Sequence, residues 1–277
     1  MNFTCAKNYL PIKVMTAHLI LFVLTLTVQS CTSENSSERD KIDELRTAAE
    51  QGYAKAQFNL GKMYSKGNGV QQDYSKAVKW FRTAAAQGHV AAQAAFGVMF
   101  YKGNGVSQDY SKAVKWYRKA AEKGLAIAQN YLGQCYDKGQ GVKQDPEKAV
   151  HWYREAAEQG YAEAQCNLGI CYTNGIGVEK DSEKSVKWFR KSAEQGDADA
   201  QFNLGVCYAN GNGVEKDSEK AVQWYRKAAK QGYAAAQYNL AASYGKGSGI
   251  RQDEEKARQW MQKAAEQGFQ PAKDFLD

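Results

Sequence analysis

The sequence predicts an all-α fold, a solenoid of tandem 36-residue helix-turn-helix repeats. Three residue series carry the prediction. Trp80, Trp116, Trp152, Trp188, Trp224 and Trp260 are spaced by 36. Gly52, Gly88, Gly124, Gly160, Gly196, Gly232 and Gly268 keep that step, as do Asp73, Asp109, Asp145, Asp181, Asp217 and Asp253. A fixed period of about 20–50 residues marks an architecture in which each unit buries its apolar face only against its neighbours.

The chain starts with a different pattern. In residues 1–30, Lys7 and Lys13 precede an apolar run over 14–28, which stops at Val28-Gln29-Ser30-Cys31. A basic start, a short apolar segment and small residues before a break predict a secretory signal peptide. The run is shorter than the ~20 apolar residues of a membrane-spanning helix. The residues ending in Cys31 resemble the lipobox of bacterial lipoproteins, although Gln29 departs from it. That resemblance implies lipidation of Cys31 and an anchor at the cell envelope, in the periplasm or on the outer membrane. Ordinary cleavage after Ser30 is the alternative. Residues 31–40, rich in Ser, Glu, Asn and Thr, predict a flexible tether.

The solenoid is expected over 41–277, with a capping helix at 42–51, six repeats and a short helix at 271–277. The unit beginning at Asp145 shows the punctuation. Asp145 is a natural N-cap and Pro146 suits the first helical position, where its missing N–H is harmless. The second helix of each unit, helix B, is expected here over 147–159. Gly160 follows it in the position that favours a left-handed residue. The first helix, helix A, is expected over 162–172, and the loop 174–178 returns the chain to Asp181. Core positions are Ala164, Leu168 and Tyr172 on helix A, and Val150, Trp152 or Tyr153, Ala156 and Ala157 on helix B. On this reading, truncating Trp152 opens a cavity costing about 3–5 kcal/mol.

Ala164, Gln165, Asn167, Leu168, Gly169, Tyr172, Gly175, Gly177, Val178, Asp181, Lys184, Val186, Trp188 and Phe189 together resemble the Sel-one-like repeat, a longer relative of the tetratricopeptide repeat. The resemblance runs from about Leu45 to the C-terminus, with local departures at Phe96, Phe100, Ser185, Ala241 and Arg258. It implies a right-handed α/α superhelix with helices A on the concave side, and a protein-binding adaptor rather than a catalyst. Exported members of the family include immunity proteins that neutralise secreted toxic effectors. Disulfide-rich members have been proposed to bind β-lactams or to act as enzymes.

The net charge is +7, and without Lys7 and Lys13 the remaining 35 basic and 30 acidic residues leave +5. The charges alternate in sign, as in Glu179-Lys180-Asp181-Ser182-Glu183-Lys184, which predicts a solvated face and no nucleic-acid partner. Cys135, Cys171 and Cys207 share one repeat position with Met63 and Met99 and read as small core residues, while Cys166 reads as a candidate exposed thiol. His89 and His151 read as surface substitutions. No catalytic set or metal-ligand spacing stands out, so neither cofactor nor metal is expected. The Gly-x-Gly loops fit turns, because no phosphate-loop lysine follows them.

If helices A line a groove, the positions between the repeat-defining ones face a partner. Phe58, Lys62, Val98, Tyr101, Ile127, Gln134, Ile170, Phe202, Val206 and Tyr238 are the expected contacts. The expected occupant is a protein or peptide bound by a monomeric chain that meets a membrane only through Cys31. The competing reading packs several of these side chains between repeats.

Overall fold

The computed structural model describes residues 40–276. The expected signal segment, Cys31, all but the last residue of the tether, and Asp277 lie outside them. Among the described residues the chain is an all-α solenoid without strands. Helix α1 covers 40–50. It is followed by α2 (Ala54–Lys66), α3 (Tyr74–Ala86), α4 (Val90–Lys102), α5 (Tyr110–Ala121), α6 (Ala126–Lys138), α7 (Pro146–Glu158) and α8 (Ala162–Asn174). Then come α9 (Ser182–Glu194), α10 (Ala198–Asn210), α11 (Ser218–Lys230), α12 (Ala234–Lys246), α13 (Glu254–Glu266) and α14 (Gln270–Leu276). The odd-numbered helices are the B helices and the even-numbered ones the A helices. The described residues form two compact units, divided after Gln87.

Helix boundaries follow from the caps. Each B helix from α3 to α13 starts on an aspartate whose carboxylate accepts the backbone amide three residues on. Asp145 takes the Lys148 amide at 3.0 Å and Asp181 takes that of Lys184 at 2.9 Å. The satisfied donor is one of four that every helix start leaves open. A helices α2 to α12 end on a left-handed glycine, as at Gly175 with φ of 71°. The second loop glycine answers to another constraint. Gly177 has φ of 65°, and a Cβ there would run into the carbonyl of Pro146, at the start of the preceding B helix.

Packing repeats as regularly. Leu132, Leu168, Leu204 and Leu240 are fully buried in the 88–276 unit, as is Leu60 in the 40–87 unit. Gly133, Gly169 and Gly205 face the rings of Tyr153, Phe189 and Tyr225 so closely that a Cβ would sit 2.6–2.7 Å from ring carbons. Buried Gln165 joins consecutive elements: its Nε2 donates to the Ala157 carbonyl at 3.0 Å and its Oε1 accepts from Gln195 Nε2 at 2.8 Å. The same pair of bonds forms at Gln57, Gln129, Gln201 and Gln237. A buried amide satisfied at both ends is stabilising, whereas a half-satisfied one is not.

One core expectation needs correction. Tyr153, 3% exposed, holds the core position; Trp152 is half-buried and packs from outside onto the cluster spanning α5 and α6. The rings of Trp188, Trp224 and Trp260 each lie under the ammonium of the lysine three residues on, at 4.3, 3.8 and 4.5 Å from Nζ to the ring centroid. A tryptophan with one face on the core and the other beneath a lysine seals the repeat without filling it.

Candidate partner-binding face

The ten expected contacts lie on A helices, and their surroundings differ. In the 40–87 unit, Phe58 is half-buried, its ring 5.9 Å from that of Phe81 and 5.7 Å from Lys62 Nζ. In the 88–276 unit, Ile127 is 37% exposed, an unusual value for a branched apolar side chain on a helix. Phe202 packs between Tyr225 at 6.1 Å and Tyr233 at 5.1 Å, and Tyr238 lies 5.5 Å from Phe269. Val98, Ile170 and Val206 are half-buried at the margins of core clusters. Several of these side chains therefore hold repeats together while keeping part of their surface accessible.

Polar groups fix the face between α6 and α10. Gln134 Nε2 donates to Glu163 Oε1 at 2.7 Å, and the Tyr161 hydroxyl donates to Glu163 Oε2 at 3.2 Å. Asp197, the N-cap of α10, accepts the Ala200 amide at 2.8 Å. Burial, with Asp199 and Glu163 nearby, raises its carboxyl above the usual carboxylate range. Tyr233 is hydrogen-bonded to Asp199, and burial pushes its phenol up to about 12.

Cys166 is not the exposed thiol the sequence suggests. It is 3% exposed and hydrogen-bonded to Asp197 and Asn203, and burial raises it well above an ordinary thiol. A buried thiol held away from its thiolate is unreactive. Cys135, Cys171 and Cys207 are free and buried, as expected of core positions. His89 also departs from expectation: its Nδ1 accepts the Ala92 amide at 3.2 Å and caps α4. His151 is exposed. Among the described residues no group of three or more His, Cys, Asp or Glu is arranged to hold a metal, and no helix is long and apolar enough to cross a membrane.

A cavity of about 370 Å³ opens among α8, α9 and α10, and it brings together two of the expected contacts, Ile170 and Val206. Phe189 and Cys207, both buried, also line it, with Thr173 and Asn203 beside them. The sequence reading missed this cavity as a distinct feature.

The Sel1 repeat model matches six consecutive segments: 54–89, 90–125, 126–161, 162–197, 198–233 and 234–269. The chain belongs to the Sel1 repeat family. Among similar structures is the protective antigen c5321 of uropathogenic Escherichia coli, which displays an SLR fold. It is 43% identical over 83% of this chain, with a TM-score of 0.77, and this chain spans 50% of its length. A Sel1 repeat protein from Oxalobacter formigenes is 38% identical over 77% of this chain and 86% of its own, with a TM-score of 0.72. Immunity protein PA5088 of Pseudomonas aeruginosa is 22% identical over 77% of this chain and 80% of its own, with a TM-score of 0.50, and shares the fold. No curated protein matches the sequence. The six Sel1 units give the chain a protein-interaction fold.

Proposed function

We propose that this Sel1 chain binds a partner protein or peptide on the A-helix face of its 88–276 unit and acts as an adaptor at the cell envelope. The carrying observation is the set of accessible apolar side chains on that face, Ile127 at 37% exposure and half-buried Ile170, Phe202, Val206 and Tyr238. Phe202 and Tyr238 share one repeat position and Ile170 and Val206 another, one helical turn further on, so apolar side chains in reach of solvent recur on successive A helices, as on surfaces that partners cover. The test is capture from envelope extract by the wild-type chain and by Ile127→Asp, whose exposed site tolerates a charge. The reading requires one dominant partner that the variant loses; identical capture by both chains would sink it.

Export rests on the pattern of residues 1–31, and the protective-antigen role of the similar E. coli protein agrees with an envelope location. Intact mass spectrometry of the membrane fraction would check it: wild type should begin at an acylated Cys31, and Cys31→Ser should be released to the soluble fraction. A second reading makes the partner a toxic secreted effector. The family resemblance includes immunity proteins, and PA5088 bears that description. The discriminating outcome is survival: the chain should protect cells that export the captured partner, whereas an adaptor would leave their growth unchanged.

A further inference from the structure

The cavity among α8, α9 and α10 has a counterpart at the same register 72 residues earlier, among α4, α5 and α6, where three tyrosines stand around a fourth. Tyr131 stacks on Tyr117 at 5.2 Å with 25° between the rings. Tyr101 lies 6.4 Å from Tyr117 and 5.2 Å from Tyr110, and its hydroxyl donates to Gln140 Oε1 at 2.7 Å. In the later repeats Phe189 keeps the place of Tyr117, and Asn212 that of Gln140. Thr173, Ser182 and Asn203 replace the other three tyrosines. The helices keep their arrangement, the rings are gone, and the cavity of about 370 Å³ is what they leave.

We propose that this cavity receives an aromatic side chain of the bound partner, best a phenol, stacked on Phe189 with its hydroxyl towards Asn212. The proposal rests on the partner-binding reading above and names the anchor that reading lacks. The filled site shows what this framework accommodates: an aryl ring offset-stacked on the B-helix aromatic, and a phenol oxygen meeting a loop amide. Ile170 and Val206 supply apolar walls. Two of the small hydroxyls inside are already partnered. Thr173 Oγ1 and Ser185 Oγ lie 2.6 Å apart and 3.0 and 2.9 Å from the Gly169 carbonyl, so one hydroxyl donates to the other, which donates to the carbonyl. A ring entering here leaves the Thr173 and Ser185 hydroxyls paired, so its insertion gains apolar burial without breaking their bonds. The volume is within the range of about 300–1,000 Å³ usual for ligand pockets, and buried aromatic anchors dominate many protein interfaces.

The test titrates p-cresol into the ¹⁵N-labelled chain, with cyclohexanol as the non-aromatic probe. Saturable shifts of the Thr173, Asn203 and Val206 amides are expected with p-cresol, and markedly weaker ones with cyclohexanol. Thr173→Tyr with Asn203→Tyr restores two of the three missing rings and should abolish the p-cresol shifts while keeping the wild-type Tm or raising it. Should the pair disturb folding, Asn203→Tyr alone is the substitute. Unmoved amides in the wild type, or equal saturation by cyclohexanol, would overturn the proposal. With a captured partner in hand, the filled variant should lose it; a partner retained by that variant but lost by Ile127→Asp overturns the anchor and leaves the broader reading intact. If no partner is captured, the broader reading fails and the p-cresol titration still decides whether the cavity takes an aromatic ring.

Discussion

The repeat at 162–197 and the one at 234–269 share one helix pairing but divide its volume differently. In the first, Gly169 on α8 faces Phe189 on α9; in the second, Ala241 on α12 meets Met261 on α13 within one buried cluster. A Cβ on Gly169 would lie 2.7 Å from the Phe189 ring, so the glycine is there to admit the ring. Where the ring gives way to a flexible thioether, the neighbouring helix can carry a methyl group. The Gly-to-Ala departure is thus a compensated exchange that preserves packing, since interiors keep nearly constant density while side chains trade volume.

The strongest way to break this comparison is to remove the large partner. Phe189→Ala should destabilise the chain by about 3–5 kcal/mol in urea unfolding, because the rigid site cannot collapse around a lost ring. Met261→Ala should fall nearer the lower end of the ~2–5 kcal/mol range, since α14 covers that site with only seven residues. The seal is weaker than the core: Trp152→Ala should cost clearly less than Tyr153→Ala, and the reverse order would show that the half-buried indole carries the packing.

The exchange itself can be tested next. Gly169→Ala should cost about 1–3 kcal/mol through overpacking, and adding Phe189→Met should recover part of that loss. Additive effects would mean the two positions are not coupled and that Ala241 is an accident. The reverse change, Ala241→Gly, should cost only about 0.5–1 kcal/mol, the ordinary penalty of glycine in a helix.

Much of this was legible in the sequence, and what was not has specific causes. Asp145, Pro146 and Gly160 marked α7 to within one residue, because caps are local chemistry. Helix α8 runs to Asn174, past the expected Tyr172, because Gly175 and not the last apolar residue ends it. Periodicity could not choose between adjacent Trp152 and Tyr153, since a step of one residue turns a helix by only about 100° and both reach the apolar side. The burial of Cys166 depends on α10 arriving with Asp197 and Asn203, 30 and more residues later. The cavity was hidden for the same reason. Thr173, Ser182 and Asn203 belong to three helices, and their joint loss of aromatic rings has meaning only once those helices meet.

The smallest effect sharpens the comparison at the helix starts. Asp181 caps α9, and hydrogen bonds from the Lys184 backbone and side chain hold its carboxyl below the usual range. Asp197 caps α10 but is raised by burial, with Asp199 and Glu163 adding like charge and only the Ala200 amide and Cys166 opposing them. The corresponding residue at the start of α12, Tyr233, makes no side-chain capping bond. The two aspartates therefore respond to pH with opposite sign. Asp181 contributes stability above the ordinary carboxylate pKa near ~4 and loses it as pH falls through its lower folded value. Asp197 binds its proton more tightly when folded, so its contribution declines as pH rises from near ~4 through its folded value. Asp181→Asn should lower the Tm at pH 7. Asp197→Asn keeps an oxygen to accept the Ala200 amide and sheds the buried charge, so it should raise the Tm at pH 7, a gain that vanishes below about pH 4. Circular dichroism melts from pH 3 to pH 7 would decide. An Asp197→Asn Tm that falls in parallel with Asp181→Asn would mean that Asp197 is an ordinary cap, and that the acidic side of this face exacts no electrostatic cost before a partner arrives.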